Sequence, residues 1–393
     1  MLTTIKTSTS LLLAACCCLA QTPGFFGANV TTNVSLCTPA SGYTHCRVLT
    51  LDHNQVPSTQ TNFPVVAWNG FTLGSSRIQN ASCFDVIFTG DSAGTTKIPW
   101  EVESCNQSTG AMVAHFLVAS LSSSADTKVY VSYDNGSVST AQNTGANGPT
   151  HVWDSNYVRV YHLADNAATT AVVDSTTTQN GVSTANTSTL QAAGEVNGSL
   201  NLGTSDYFSQ GGALAFTGAT AAWTLSAWFK TTAGDAQIFG LQNNSTRDPV
   251  IDLGIGQSIL CGGLCNGSGS PGFYVQDNTA SGGAGNNTTV TALNDGAWHY
   301  LVLTRDSSKN LKVYADCSGT PVFTATDTMG TGQTFDLVGG NIGEDTIFFG
   351  ARSSTMAMDE ARISITNRSA NWITAECNNQ KLGSSFIAVG GEQ

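Results

Sequence analysis

Charge is scarce in this 393-residue chain: only 11% of residues are Asp, Glu, Lys or Arg, and acidic residues outnumber basic ones 27 to 15 for a formal net charge of −12. Nucleic acid and anionic membrane surfaces would therefore be repelled, and no run of basic residues offers a local exception. Long apolar runs are missing beyond the first twenty residues, so no segment reaches the ~18 residues that a membrane-spanning helix needs, and the C-terminus carries no hydrophobic anchor. Leu- or Ala-rich stretches with helical spacing are nearly absent, which points away from helical classes and toward an all-β chain. No short tandem period marks a solenoid or propeller. No Gly-x-Ser-x-Gly elbow supplies a nucleophile context for the six histidines.

What is present is glycine (41 residues), serine, threonine and asparagine, placed between short β-branched and aromatic segments. The first twenty residues read as an address: Lys6 gives a positive start, Leu11 to Leu19 an apolar stretch too short to span a bilayer, and Cys18-Leu19-Ala20 a small-residue cleavage site before Gln21. A second reading takes Leu13-Ala14-Ala15-Cys16 as a bacterial lipoprotein pattern with a lipid anchor at Cys16. Both predict a secreted or cell-surface protein. The apolar run continues past Cys16, which favours ordinary cleavage of a signal peptide at residues 1–20.

Cysteine usage agrees with export. Cys16, Cys17 and Cys18 lie in the leader, and the remainder divide evenly as Cys37, Cys46, Cys83 and Cys105, then Cys261, Cys265, Cys317 and Cys377. Each set of four allows three pairings. We expect Cys37–Cys46, Cys83–Cys105, Cys261–Cys265 and Cys317–Cys377. A zinc site at Cys261 and Cys265 lacks a second ligand pair close by.

Two folded regions are expected, a small β-sandwich at 37–134 and a larger one at 155–393, joined by a polar linker at 135–154. In the larger region, Trp223–Lys230, Ala297–Arg305 and Leu311–Asp316 alternate with period two, the last two across the turn Asp306–Asn310. Taken in order, these three segments resemble the core strands of laminin-G-like domains of the concanavalin A-like lectin/glucanase superfamily. The resemblance runs from Tyr157-Val-Arg-Val-Tyr-His-Leu163 through Met358-Asp-Glu-Ala-Arg-Ile-Ser-Ile365 to the short helix-like segment Ala370–Gln380 and implies a jelly-roll sandwich. The first region resembles a domain of unknown function at the front of many secreted bacterial proteins. It carries that family's features as Leu51-Asp52-His53, Asn62-Phe63-Pro64-Val65, Asp85-Val-Ile-Phe-Thr89, Lys97-Ile-Pro-Trp-Glu101 and Val129-Tyr-Val-Ser-Tyr133.

The superfamily's glucanases place their acidic residues at alternating positions of one strand. This chain has no Glu-x-Asp-x-x-Glu, and its acidic clusters, Glu344-Asp345 and Asp359-Glu360, are adjacent pairs whose members should point to opposite faces. No catalytic residue is therefore expected. His162 and His299 read as packed or edge histidines, and Trp153, Trp223, Trp228 and Trp298 as core. Glu360 and Arg362, two apart, are expected to pair on one face.

The loop Asp174-Ser-Thr-Thr-Thr-Gln-Asn180-Gly181 resembles the Asp-x-x-Gly-Asn-Gly turn of laminin-G-like modules, which implies a structural Ca²⁺ held by Asp174, Asn180 and Asp359. Thr178 and Gln179 depart from the pattern, and the alternative is a polar turn closed by its own hydrogen bonds. Function by this resemblance is non-catalytic binding of carbohydrate or a glycosylated surface. The alternatives are a structural or adhesive component of an envelope, appendage or phage fibre, and a glycoside hydrolase.

Overall fold

Period-two alternation in Trp223–Thr231 separates two different cores. Trp223, Leu225, Ala227 and Phe229 enter the largest apolar cluster, whereas Trp228, on the opposite face, joins Tyr300, Val302 and Tyr314 beneath a helix. A strand buried on both sides needs a layer on each side. The rest of the chain supplies them.

The computed structural model describes residues 36–210, 212–214, 216, 218, 220–242, 249–256, 269–279, 283–287, 292–335, 337, 341–342 and 355–393. The signal peptide, Cys16, the Cys261–Cys265 pair and Glu344-Asp345 lie outside the described residues. The chain opens with β1 (His45–Leu51), β2 (Gln60–Ala67), β3 (Ile87–Thr89), β4 (Trp100–Cys105), β5 (Met112–Leu121) and β6 (Thr127–Tyr133). It continues through β7 (Tyr157–Tyr161), β8 (Ala171–Val172), β9 (Gly181–Ser183), the short α1 (Thr187–Leu190), β10 (Gln191–Ala193), β11 (Gly198–Leu202) and β12 (Phe208–Ser209). Then come β13 (Trp223–Thr231), β14 (Ala236–Gln242), β15 (Val250–Ile255), β16 (Pro271–Gln276), β17 (Gly283–Asn287), β18 (Trp298–Arg305), β19 (Asn310–Ala315) and β20 (Phe323–Thr326). The last elements are β21 (Asn341–Ile342), β22 (Met356–Ser364), α2 (Ala370–Gln380) and β23 (Ile387–Val389).

Two eight-stranded antiparallel sheets form the jelly roll. One runs β10-β11-β22-β13-β18-β19-β20 with β7 also on β22, the other β17-β16-β15-β14-β21-β12-β9-β8. Their inner faces share one apolar core. The expected hairpin across 306–310 is β18–β19, in register from Leu301↔Ala315 to Arg305↔Leu311.

Before it, a four-stranded sheet β23-β1-β6-β3 and a three-stranded sheet β2-β5-β4 close over a second core. The C-terminal strand β23 returns to the edge of β1, so the last residues of the chain complete its first sheet. Trp372 and Ala375 of α2 join this second core while Ile373 and Cys377 face β13 and β18, so the helix is a wedge with an apolar face on each side. Asn379 fixes its angle: its side chain accepts from the Val66 amide at 2.8 Å and donates to the Val66 carbonyl at 3.0 Å, pairing with the edge of β2 as a strand would.

Residues 36–393 form one compact unit. Apolar contacts cross from 37–134 into the linker and 155–393, with Val152, Trp153, Tyr157, Val160 and Trp372 packed into the core of the small sandwich. The linker is pinned at its end, with Val152 and Trp153 buried and Asp154 held by both guanidinium nitrogens of Arg368 at 2.7 Å. Among the described residues, three disulfides join Cys37 to Cys46, Cys83 to Cys105 and Cys317 to Cys377. The last ties the end of β19 to α2 and so holds the wedge on the jelly roll.

Burial would raise the Asp154 carboxyl, but the hydrogen bond and charge of Arg368 outweigh it and hold the pKa below the usual 3.8. A depressed folded pKa stabilises above the unfolded value and is lost as pH falls through the folded one. Melting temperatures of the protein and its Asp154→Asn variant are therefore expected to differ at neutral pH and to converge below about pH 4. A constant gap across that window would mean the pair contributes nothing through charge.

Candidate functional site

Five titratable side chains from three strands and one loop converge where the small sandwich meets the jelly roll. Glu101 and Glu103 both come from β4, whose pairing with β5 shifts register between Val102 and Ser104, so Glu103 sits in a bulge and still reaches the same side as Glu101. The register of β4 on β5 sets His115 opposite Glu101. His162 follows β7 directly, and Glu360 comes from β22.

Glu360 is aimed there by a defect in the sheet. Against β13, Asp359 pairs with Trp228 and Arg362 with Ser226, so two residues of β22 face one of β13. Glu360 carries the left-handed φ of +50° that such a bulge requires, a costly conformation for a side chain other than glycine. Met356 and Met358 before the bulge and Ala361 and Ile363 after it all enter the jelly-roll core, so the bulge resets the alternation. Asp359 and Glu360 therefore both point away from that core. The expectation of opposite faces fails because it assumed an unbroken strand.

The contacts are close. His115 Nε2 lies 2.8 Å from Glu103 Oε2, and His162 Nδ1 lies 2.7 Å from Glu360 Oε1. His162 Nδ1 is 4.0 Å from Glu103 Oε2 and its Nε2 is 3.6 Å from Glu101 Oε2. Each carboxylate is held from behind. The Glu101 oxygens accept from the Ser175 hydroxyl at 2.7 Å and the Trp153 indole at 3.0 Å, Glu103 Oε1 from Asn197 at 2.9 Å, and Glu360 Oε2 from Arg362. Glu360 and Arg362 thus form the expected pair. Arg362 also binds Glu376 of α2, whose carboxylate takes the Tyr157 and Tyr300 hydroxyls at 3.0 and 2.6 Å.

Burial and neighbours divide the protons unevenly. Burial would lower His162, but Glu360, Glu101 and Glu103 raise it well above 6.5. His115 is lowered to about 3 by burial and by the charge of His162, whose ring stacks on it at a centroid distance of 4.0 Å. Burial would raise Glu101 and Glu360, yet His162 holds both down, with Arg362 adding its charge at Glu360. Glu103 is pushed up to about 7 by burial, with Glu360 and Glu101 adding to it against His162. The core of the site is a charged imidazole among three carboxyls.

A pocket of about 230 Å³ opens onto this cluster, lined by Glu101, Val102, Glu103, His162, Ala164, Asp165, Val173 and Ser175. The two E-x-E glutamates and Tyr161-His162 stood in plain view as parts of quoted segments. Nothing in the sequence placed β4 beside β7.

Of the residues expected to hold calcium, Asp174 and Asn180 serve the polar turn. Asp174 Oδ1 accepts from the Val160 and Thr176 amides, and Oδ2 from the Thr176 hydroxyl and the Gln179 amide. Its four acceptor sites are filled. Asn180 Oδ1 accepts from the Asp174 amide. Asp359 is engaged elsewhere, one oxygen on the Val196 amide at 2.7 Å, and its carboxyl is raised well above 3.8 by burial and by Glu360. These donors fit turn closure better than an ion. Of the other sequence candidates, His299 is an edge residue between Asp295 and Asp316, both at 3.1 Å, and Trp153, Trp223 and Trp228 are core.

Residues 202–374 match the family model Laminin_G_3 of the concanavalin A-like lectin/glucanases superfamily. That part of the chain is similar to laminin-G-like domains. No curated protein matches the chain. Among solved structures, domain 4 of AbnA, a GH43 extracellular arabinanase from Geobacillus stearothermophilus solved with arabinotriose, is 16% identical over 56% of this chain and 98% of its own, with a TM-score of 0.40. The binding domain of Paraclostridial Mosquitocidal Protein 1 is 13% identical over 57% of this chain and 52% of its own, at a TM-score of 0.37. The botulinum neurotoxin serotype G binding domain is 9% identical over 56% and 50%, at 0.41. Likeness this distant does not extend to ligand or activity.

Two outcomes follow. Arg362→Met leaves Glu360 and Glu376 buried without their shared cation, and urea unfolding is expected to show a loss of about 3–5 kcal/mol; a loss under about 1 kcal/mol would show the array to be electrostatically idle. Added calcium is expected to leave the melting temperature unchanged. A rise abolished by Asp174→Ala would reinstate calcium at Asp174, Asn180 and Asp359.

Proposed function

We propose that this is an extracellular, non-catalytic binding protein that takes a carbohydrate or a glycosylated surface in the pocket beside β4. The carrying observation is the pocket itself: about 230 Å³, lined by Glu101, Glu103 and Asp165 with the Ser175 hydroxyl and His162. Carboxylates are acceptors only, and a ring of them suits a ligand rich in hydroxyl donors. Support also comes from the lectin and glucanase superfamily matched by residues 202–374. The three disulfides agree with an oxidising compartment. Among the described residues no helix is long and apolar enough to cross a membrane.

Glycoside hydrolysis is the second reading, favoured by one observation. Glu101 and Glu103 share a face of β4 and their carboxyls shift in opposite directions, as an ionised and a protonated partner do in hydrolases. Against it, every oxygen of both carboxyls already has a protein hydrogen-bond partner.

A glycan array probed with the full secreted chain is expected to give a defined set of bound sugars, weakened at least tenfold by Asp165→Ala, with no reducing sugar released from β-glucans. An array with no signal from a protein that still self-associates would replace this reading with the structural or adhesive one. Sugar release lost in Glu103→Gln would replace it with hydrolysis.

A further inference from the structure

One donor atom from each of Glu103, His115, His162 and Glu360 lies within 4.8 Å of every other. We infer that this junction is a binding site for a divalent first-row transition ion, Zn²⁺ or Mn²⁺, ligated by Glu103, His162 and Glu360. The inference is independent of the carbohydrate reading, since it uses donor geometry alone.

Ligand atoms at ~2.1 Å from a common ion stand roughly 3.4 Å apart in a tetrahedral set. The 2.7 Å and 4.0 Å separations of His162 Nδ1 from Glu360 Oε1 and Glu103 Oε2 bracket that value. An ion here takes the place of the proton between His162 Nδ1 and Glu360 Oε1, and that proton leaves to solvent. His115 stays outside the set. Its ring lies within 25° of parallel to that of His162, so one ion meets the in-plane lone pair of only one of them.

The surroundings are those that ligands of a metal need. A metal-bound histidine presents its second nitrogen to a carboxylate. His162 is placed to do so: its Nε2 is buried and faces Glu101 Oε2 at 3.6 Å, just beyond hydrogen-bond distance. Glu101 is in turn fixed by Trp153 and Ser175, Glu103 by Asn197 and His115, and Glu360 by Arg362. The left-handed backbone at Glu360 is strain placed where it aims a ligand. Because Glu103 and His162 also line the pocket, the ion would keep one coordination position open toward it. One imidazole and two carboxylates suit zinc or manganese, whereas calcium takes six to eight oxygens.

The test is equilibrium dialysis of the full secreted chain, stripped with chelator, against Zn²⁺, Mn²⁺ or Ca²⁺ without sugar, with bound metal counted by mass spectrometry. One equivalent of Zn²⁺ or Mn²⁺ per chain is expected, with affinity falling by roughly tenfold or more in Glu103→Gln and in His162→Gln. Visible d–d bands of bound Co²⁺ provide a readout on the unmutated protein, should either variant fail to fold. The other such group among the described residues, Asp52, His53 and Asp126 on the surface, is controlled by His53→Ala. No stoichiometric uptake by the folded protein, uptake unchanged in folded Glu103→Gln, or uptake lost in His53→Ala would each overturn the assignment.

Discussion

Everything at the junction depends on keeping buried charge compensated. Arg362 lies between Glu360 and Glu376, under the Trp153 ring at 5.0 Å, in a position where an unpaired guanidinium would cost several kcal/mol. Its two carboxylates come from different layers, one on β22 of the jelly roll and one on α2. Compensation therefore requires sheet and helix to be docked, and α2 in turn carries Trp372 into the core of the small sandwich. One electrostatic demand thus couples both β regions to a single arrangement.

The same demand explains the shape of the site. Glu360 meets Arg362 on one oxygen and His162 on the other, so His162 is drawn into contact with β4 and its two glutamates. The bulge in β22 makes this reach possible, at the cost of a left-handed residue. Strain of that kind persists only where surrounding contacts over-determine it, and here ion pairs, stacked imidazoles and the Val196 amide on Asp359 do so.

Much of the fold was legible from local pattern. Trp223–Lys230 and the 306–310 hairpin declared strands and register through alternation, and even cysteine numbers in each half matched the three disulfides seen. The site was legible only in pieces. Glu360 and Arg362 paired as two-residue spacing implies. Asp174 and Asn180 came together as a turn, because Thr176 and Gln179 fill the Asp174 oxygens. Asp359 did not behave as an adjacent-face residue, since a bulge leaves no signature in composition or periodicity.

By itself the sequence determined the all-β class, the jelly-roll strands, the turn at 174–180 and the sparse, acidic surface. Those follow from interactions within a few residues: alternation, turn chemistry and side-chain hydrogen bonds to the neighbouring backbone. Only the tertiary structure decided that Glu101, Glu103, His115, His162 and Glu360 share one buried cluster, and that the last strand of the chain completes the first sheet. Contacts between residues as much as 347 positions apart, Cys46 and Gln393, are set by which layers pack together, and burial, which shifts each proton in the cluster, exists only once those layers have met.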